Sequence, residues 1–408
     1  MALRRFVCFL AVVFPLLITR CQLNSQITPT VVIVSNNLAI TEDDPVYVQS
    51  LPPTWTPQPT QPIPTLFPTQ TPWPTPVGSH EVIGFYNFPD DINPLTGLPP
   101  SNVYALERRP VMVKVSNYPP SVRPQAGLSF ADIVFEYYIG NGENRFLATF
   151  YGQDAAKAGS VRSGRLVDSQ LVSMYQGILV YGSADPRVDE VIETQLGERA
   201  ISHLEVPCPV ICGGETHSEP WVYANSLEVT RYAIRHHIDN RRPVLSGMLF
   251  DRRSPNSEQF AVRIGVEYSS FDRGEWRYNP ATGLYERWIE EKLDKRNMVP
   301  LTDQLTGAQL AFANVIILFA EYTEYNPTLH DIAIWDVLNG QRAVFFRDGL
   351  MVSGSWRAAD HEKPIQFFNQ YGLPYLLKPG NTWIVIVGLH SDFPQTAPGV
   401  WDLYFNLP

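Results

Sequence analysis

The sequence predicts an α+β protein: a mixed sheet with flanking helices, followed by a mainly antiparallel β second domain. Three observations predict it. Between residues 80 and 252, β-branched and aromatic runs alternate with segments of helical period. Beyond residue 257, strand-like runs follow one another with turn signals between them. Ahead of residue 78, a Pro/Thr-rich stretch excludes both patterns, because proline fixes φ and removes backbone donors.

The chain opens "MALRRFVCFLAVVFPLLITRCQLNS". Arg4 and Arg5 precede an apolar run from Phe6 to Ile18. That length suits a signal peptide and is short of the ~20 residues of a membrane span. Residues 1–25 therefore form a leader. Cys21 directly follows the apolar core, where bacterial lipoproteins are cleaved and acylated, and "LLITRC" resembles a lipobox except for Arg20. Lipid attachment at Cys21, an uncleaved signal anchor and plain secretion all stay open, and each puts the bulk of the chain outside the cytoplasm. Residues 26–78 include "PPTWTPQPTQPIPTLFPTQTPWPTPVG". Such a stretch is extended at ~3 Å per residue and reads as a stalk, or as a plain linker.

The rest is long enough for two domains. In the first, residues 80–252, "PVMVKVSN" alternates Val111, Val113 and Val115, which suits a half-buried strand. "DIVFEYYI" (132–139) and "RFLATFY" (145–151) flank "GNGEN", a hairpin signal. In "SGRLVDSQLVSMYQG", Leu166, Val167, Leu171, Met174 and Tyr175 recur at helical spacing, with Ser163 as the expected cap and Gly177 as the stop. "ILVYG" (178–182) reads as a buried strand. "PRVDEVIETQLG" (186–197) starts on Pro and stops on Gly, as a short helix does. "SLEVTRYAIRHHID" (226–239) is a third helix with Ser226 as its expected cap. The boundary is expected near "RRSPNSEQ" (252–259).

The second domain, residues 257–408, runs "QFAVRIGVEYS", "EWRYNPATGLYERW", "NVIILFAEYT", "DIAIWDV", "QRAVFFRDGLMVSGSWRA" and "NTWIVIVG". Asp348 and Gly349 read as a tight hairpin turn. Trp356 is expected to pack on the sheet. Trp356 and Trp383 are alternatively candidates to stack on sugars.

The formal charge is −10, and no basic run or Arg/aromatic patch appears, which argues against nucleic acid as a partner. Cys208 and Cys212 stand in "EVPCPVICGG". Outside the cytoplasm a C-x3-C pair points to a local disulfide. A zinc site with His203 or His217 is the alternative, weakened by the missing C-x2-C spacing. His236 and His237 are adjacent and diverge on a helix. No metal or cofactor is expected.

"NPLTGLPP", "RRPVMVKVSNYPPSVRPQAGLSFADIVFEYY" and "NRFLATFYGQDAAKAGSVRSGR" resemble the YerB-like family of exported lipoproteins, DUF3048. "AVFFRDGLMVSGSWRA" with "LKPGNTWIVIV" is similar to that family's C-terminal domain. The resemblance covers residues 90–390 in order. It implies an extracytoplasmic two-domain α+β protein, commonly lipid-anchored, and implies no activity. The chain departs from the family at Arg20 and at "ETHSEPWVYAN", which leaves the role of His217 open.

No G-x-S-x-G elbow, H-E-x-x-H or phosphate loop is present. Polar residues instead concentrate in the first domain: Asn117, Arg123, Gln125, Asp132 and Glu136, then Arg145, Asp154, Arg162, Arg165 and Asp185. Charges beside hydrophobic strands need partners. Alternation puts Asp132, Val134 and Glu136 on one face, where Arg145 on the next strand would reach a carboxylate. In one reading Arg162 and Arg165 brace the carboxylates. In another, they and the free N–H groups of a helix start hold a phosphate or carboxylate. In a third, Asp132 or Glu136 serves as a general acid or base. The reading that follows is a surface-anchored cell-envelope protein that binds or scaffolds an envelope component or wall polymer, held at the membrane by its N-terminal anchor. The alternative is an envelope hydrolase or transferase acting on wall glycan or anionic polymer.

Overall fold

The computed structural model describes residues 82–85, 88–214, 221–294 and 297–407. The leader with Cys21, the 26–78 stalk and His217 lie outside the described residues.

The first half supplies β1 (Val111–Ser116), β2 (Ile133–Gly140), β3 (Glu143–Phe150), β4 (Ile178–Tyr181) and β5 (Ala200–Ser202). The second supplies β6 (Arg263–Ser269), β7 (Asp272–Asn279), β8 (Leu284–Glu290), β9 (Asn314–Asn326), β10 (Val337–Arg347) and β11 (Leu350–Ala358). It continues with β12 (Gln366–Asn369), β13 (Thr382–Gly388) and β14 (Val400–Tyr404). β2 and β3 pair antiparallel around Gly140–Asn141–Gly142, all three with positive φ. Asp348 and Gly349 turn β10 into β11 with φ of 55° and 73°, the twist a two-residue hairpin needs.

The central sheet runs β12-β11-β10-β9-β13-β2-β3-β1-β4-β5, and Leu329–Ala333 pairs with β9. It crosses the division expected at 252–259: β13 pairs in parallel with β9 on one side and with β2 on the other. The reason lies in its composition. "TWIVIVG" is buried at every residue, and so apolar a strand needs a neighbour at each edge and cover on both faces. The second half is thus not wholly antiparallel, since β6 and β14 also run in parallel. A second sheet, Met298–Pro300, β8, β7, β6, β14 and Gln395–Ala397, packs on one face of the first. Helices α1 (Leu166–Met174) and α2 (Pro186–Leu196) pack on the other. β1 is therefore buried on both faces rather than half-buried.

The helix starts differ from expectation in two places. Arg165, not Ser163, is the residue before α1, and the Asp168 carboxylate accepts from its N–H at 2.7 Å. Helix α3 (Ser226–Arg235) is capped by Asn225, which accepts from Leu227 and Glu228 N–H. It stops short of residue 239, as His237 turns left-handed at φ 59°. At α2, Asp185 accepts from Arg187 N–H and Gly197 ends the helix. Trp356 and Trp383 are fully buried, so neither is a sugar platform. Trp356 Nε1 donates to the Phe319 carbonyl.

Candidate functional site

Three separate places receive the polar residues of the first half. The first lies between the two sheets. Glu136 has its carboxylate oxygens on Asn144 Nδ2 (3.0 Å), Trp383 Nε1 (2.7 Å) and Arg287 Nη2 (3.1 Å). Asn117 donates to Asn144 and accepts from Arg123 and Gln125. Arg123 reaches Glu290 at 2.7 Å, and Asp272 accepts from the Asn144 N–H at 2.8 Å. Burial pushes the carboxyls of Glu136 and Asp272 up. The carboxylates are thus braced, but by Arg123 and Arg287 and not by Arg162 and Arg165.

Asp132 stands apart. It takes the N–H groups of Tyr151 (2.7 Å) and Gly152 (2.8 Å) and the Asn93 amide (3.0 Å). Burial raises its pKa to about 6 against those bonds. Its partners are not those of Glu136. Asp154 pairs with Arg108 and accepts from Ser226 Oγ, and Asp185 caps α2.

The third place is the start of α1. Arg145 lies opposite Tyr137 on β2 and Ser116 on β1, so it projects to the face away from Glu136 and does not reach it. Its Nη1 donates to the Ser163 carbonyl at 2.9 Å. Arg162 Nε meets Ser116 Oγ at 3.3 Å, and Arg165 Nη1 meets the Gly164 carbonyl at 2.9 Å. The backbone gathers them: Arg162 N–H bonds to the Lys114 carbonyl, and Gly182 N–H to the Arg162 carbonyl. The segment so crosses the C-terminal ends of the parallel strands β1 and β4. Among the described residues none of the three arginines forms an ion pair with a carboxylate. The Nε groups of Arg145 and Arg165 are buried with no partner. Burial, then the charges of Arg165 and Arg162, lowers the pKa of Arg145 to about 9. Burial likewise lowers Arg165.

Behind the arginines sits a buried group that sequence reasoning passed over. Lys114 donates to Tyr137 Oη and, at 3.2 Å, to Asp168 Oδ1, and Tyr137 Oη donates to the same carboxylate. The signal was a lysine inside the apolar run "VMVKV" of a strand with neighbours on both sides. Asp168 hydrogen-bonds this group and the Arg165 N–H, and it forms no ion pair with the arginine side chains among the described residues; with Glu143 it offsets their charge only from farther off. Asn144, Asp272, Arg287 and Glu290 were also missed, since their meeting depends on how the two sheets face each other.

Cys208 and Cys212 are joined by a disulfide, and His203 Nε2 faces the Gly213 carbonyl at 3.2 Å. Among the described residues no group of three or more His, Cys, Asp or Glu side chains is arranged to hold a metal ion. No helix among them is long and apolar enough to cross a membrane.

Comparison with known proteins gives two family matches. Residues 95–232 match the N-terminal domain of a protein family of unknown function, DUF3048, and residues 264–384 match its C-terminal domain. The chain is 27% identical over 299 residues to "Putative lipoprotein YerB" of Bacillus subtilis (strain 168), covering 72% of this chain and 85% of that protein. The crystal structure of YerB protein from Bacillus subtilis superposes with a TM-score of 0.61 at 25% identity, covering 72% of this chain and 96% of that one. With both of its domain models matched in order over most of the described residues, the chain belongs to the YerB-like family, DUF3048.

Proposed function

We propose that the protein is an extracytoplasmic envelope protein, anchored at the membrane through its N-terminal segment, and that its first half binds an anionic group of an envelope polymer at Arg145, Arg162 and Arg165. The lipoprotein name of its Bacillus relative and the position of Cys21 support the anchor.

One observation carries the binding reading: among the described residues three guanidinium groups meet with no carboxylate in ion-pair contact, Glu143 and Asp168 acting on them only from farther off, and two of them keep buried N–H groups unpaired. Such an arrangement is unfavourable when empty, because like charges repel and a buried donor without an acceptor costs ~1–3 kcal/mol. A phosphate or carboxylate supplies both the charge and the acceptors. The site lies beyond the C-terminal ends of parallel strands, where sheets of this kind hold ligands.

Melting temperatures of wild type, Arg162→Ala and Arg165→Ala, with and without inorganic phosphate, test the reading. Phosphate should raise the wild-type value, by the equivalent of ~2.7 kcal/mol at a hundredfold excess over Kd. Each mutant should match or exceed the wild type without phosphate and lose the phosphate effect. Strong destabilisation of both mutants, with no phosphate effect on the wild type, would sink the site.

A further inference from the structure

At the far end of α1 from the arginines, a cleft of about 550 Å³ opens between elements of both halves of the chain. That size is within the ~300–1,000 Å³ of ligand clefts. Ser173 and Gln176 reach it from the end of α1, Gln195 and Arg199 from the end of α2, and Trp335 and His361 from the second half.

The cleft holds an aromatic slab. The Trp335 ring stacks on the His361 imidazole, with centroids 4.1 Å apart and planes at 11°. Asp336 fixes that imidazole at 3.0 Å. The His361 side chain is 46% exposed, so the slab keeps an open edge to solvent. The Trp335 indole N–H is buried without a partner among the described residues.

The cleft also holds a cation without an ion-pair partner among the described residues. Asp239 is claimed by Arg241 (2.9 and 3.0 Å) and Arg109 (2.6 Å), and those bonds hold its carboxyl well below the usual range. Arg199 has no carboxylate within ion-pair distance among the described residues, while Asp239 and Glu362, which also line the cleft, act on its charge from farther off. Its Nη1 donates to the Gly177 carbonyl at 3.0 Å. The floor is rigidly built: Gln176 sits left-handed at φ 49°, and its amide donates to the carbonyls of Val244 and Glu362.

We infer that this cleft binds an acidic saccharide, a sugar ring carrying one carboxylate. An apolar ring face suits the aromatic slab, ring hydroxyls suit Ser173 and Gln195, and the carboxylate suits the Arg199 fork. The cleft shares no residue with the arginine site, so each stands or falls alone.

Calorimetric titration of the full chain with glucuronate and with glucose tests it. Glucuronate should bind saturably and at least about tenfold more tightly than glucose. Arg199→Gln should weaken glucuronate about tenfold, the equivalent of ~1.4 kcal/mol, and abolish the preference. Trp335→Leu should weaken both sugars. His361→Ala, at an exposed position, makes the same test of the slab if Trp335→Leu does not fold. Absence of saturable glucuronate binding to the wild type overturns the inference, as does binding that Arg199→Gln leaves unchanged in a folded protein.

Discussion

Lys114 shows how one residue's chemistry follows from its strand. β1 is covered on both faces, so the Lys114 side chain is fully buried, and burial brings its pKa down from 10.5 to about 7 despite Asp168. The unfolded chain then binds a proton at pH values where the folded chain does not. This contribution to stability is fully present above pH 10.5 and is lost as pH falls toward 7. Urea unfolding of the wild type should therefore show stability gained from Lys114 between pH 7 and pH 10.5, and Lys114→Met should flatten that slope. Equal slopes in both proteins would show that the lysine titrates alike in the folded and unfolded states. Tyr137 and Glu136 make the companion point. They are adjacent in sequence, yet one faces the arginines and the other faces Arg287 and Trp383. Alternation predicts that they part, but not which residues they meet.

At the scale of elements, the helix starts separate local preference from tertiary choice. Asn225 and Ser226 are both capping types and adjoin, so the sequence alone does not rank them. The fold does. Ser226 Oγ is taken by Asp154 at 2.6 Å and by the Ala155 N–H at 3.0 Å, which leaves Asn225 to cap α3. Asn225→Ala should cost about 1 kcal/mol in denaturant unfolding. A loss near zero would mean that water serves those N–H groups as well. α1 has no Ser or Thr cap at all, and Asp168 reaches back from the first turn to Arg165. An expectation built on serine misses this because the capping group comes from within the helix.

For the whole molecule, β13 is decisive. It completes the sheet of the first half by pairing Thr382–Ile386 with Ile133–Tyr137. Two buried ion pairs also cross between the halves, Arg287–Glu136 and Arg123–Glu290. Removing one partner of a buried pair costs ~3–5 kcal/mol. Residues 80–252 and 257–408 made separately should therefore each lack a cooperative unfolding transition, and mixing them during refolding should restore one. A cooperative transition in residues 80–252 alone would show that β13 is dispensable.

Features that depend on neighbours a few residues apart are legible in the amino-acid order. The hairpin at residues 140–142, the Asp348–Gly349 turn, the strand periods and the Pro-to-Gly span of α2 all rest on local dihedral preference and periodicity. Which carboxylates are braced, and which arginines lack an ion-pair partner among the described residues, depends on long-range packing. Glu136 and Trp383 are 247 residues apart, and no local preference links them. Their meeting follows from burying an apolar strand on both faces, and that long-range demand left Arg145, Arg162 and Arg165 together on the opposite face with no carboxylate in ion-pair contact among the described residues.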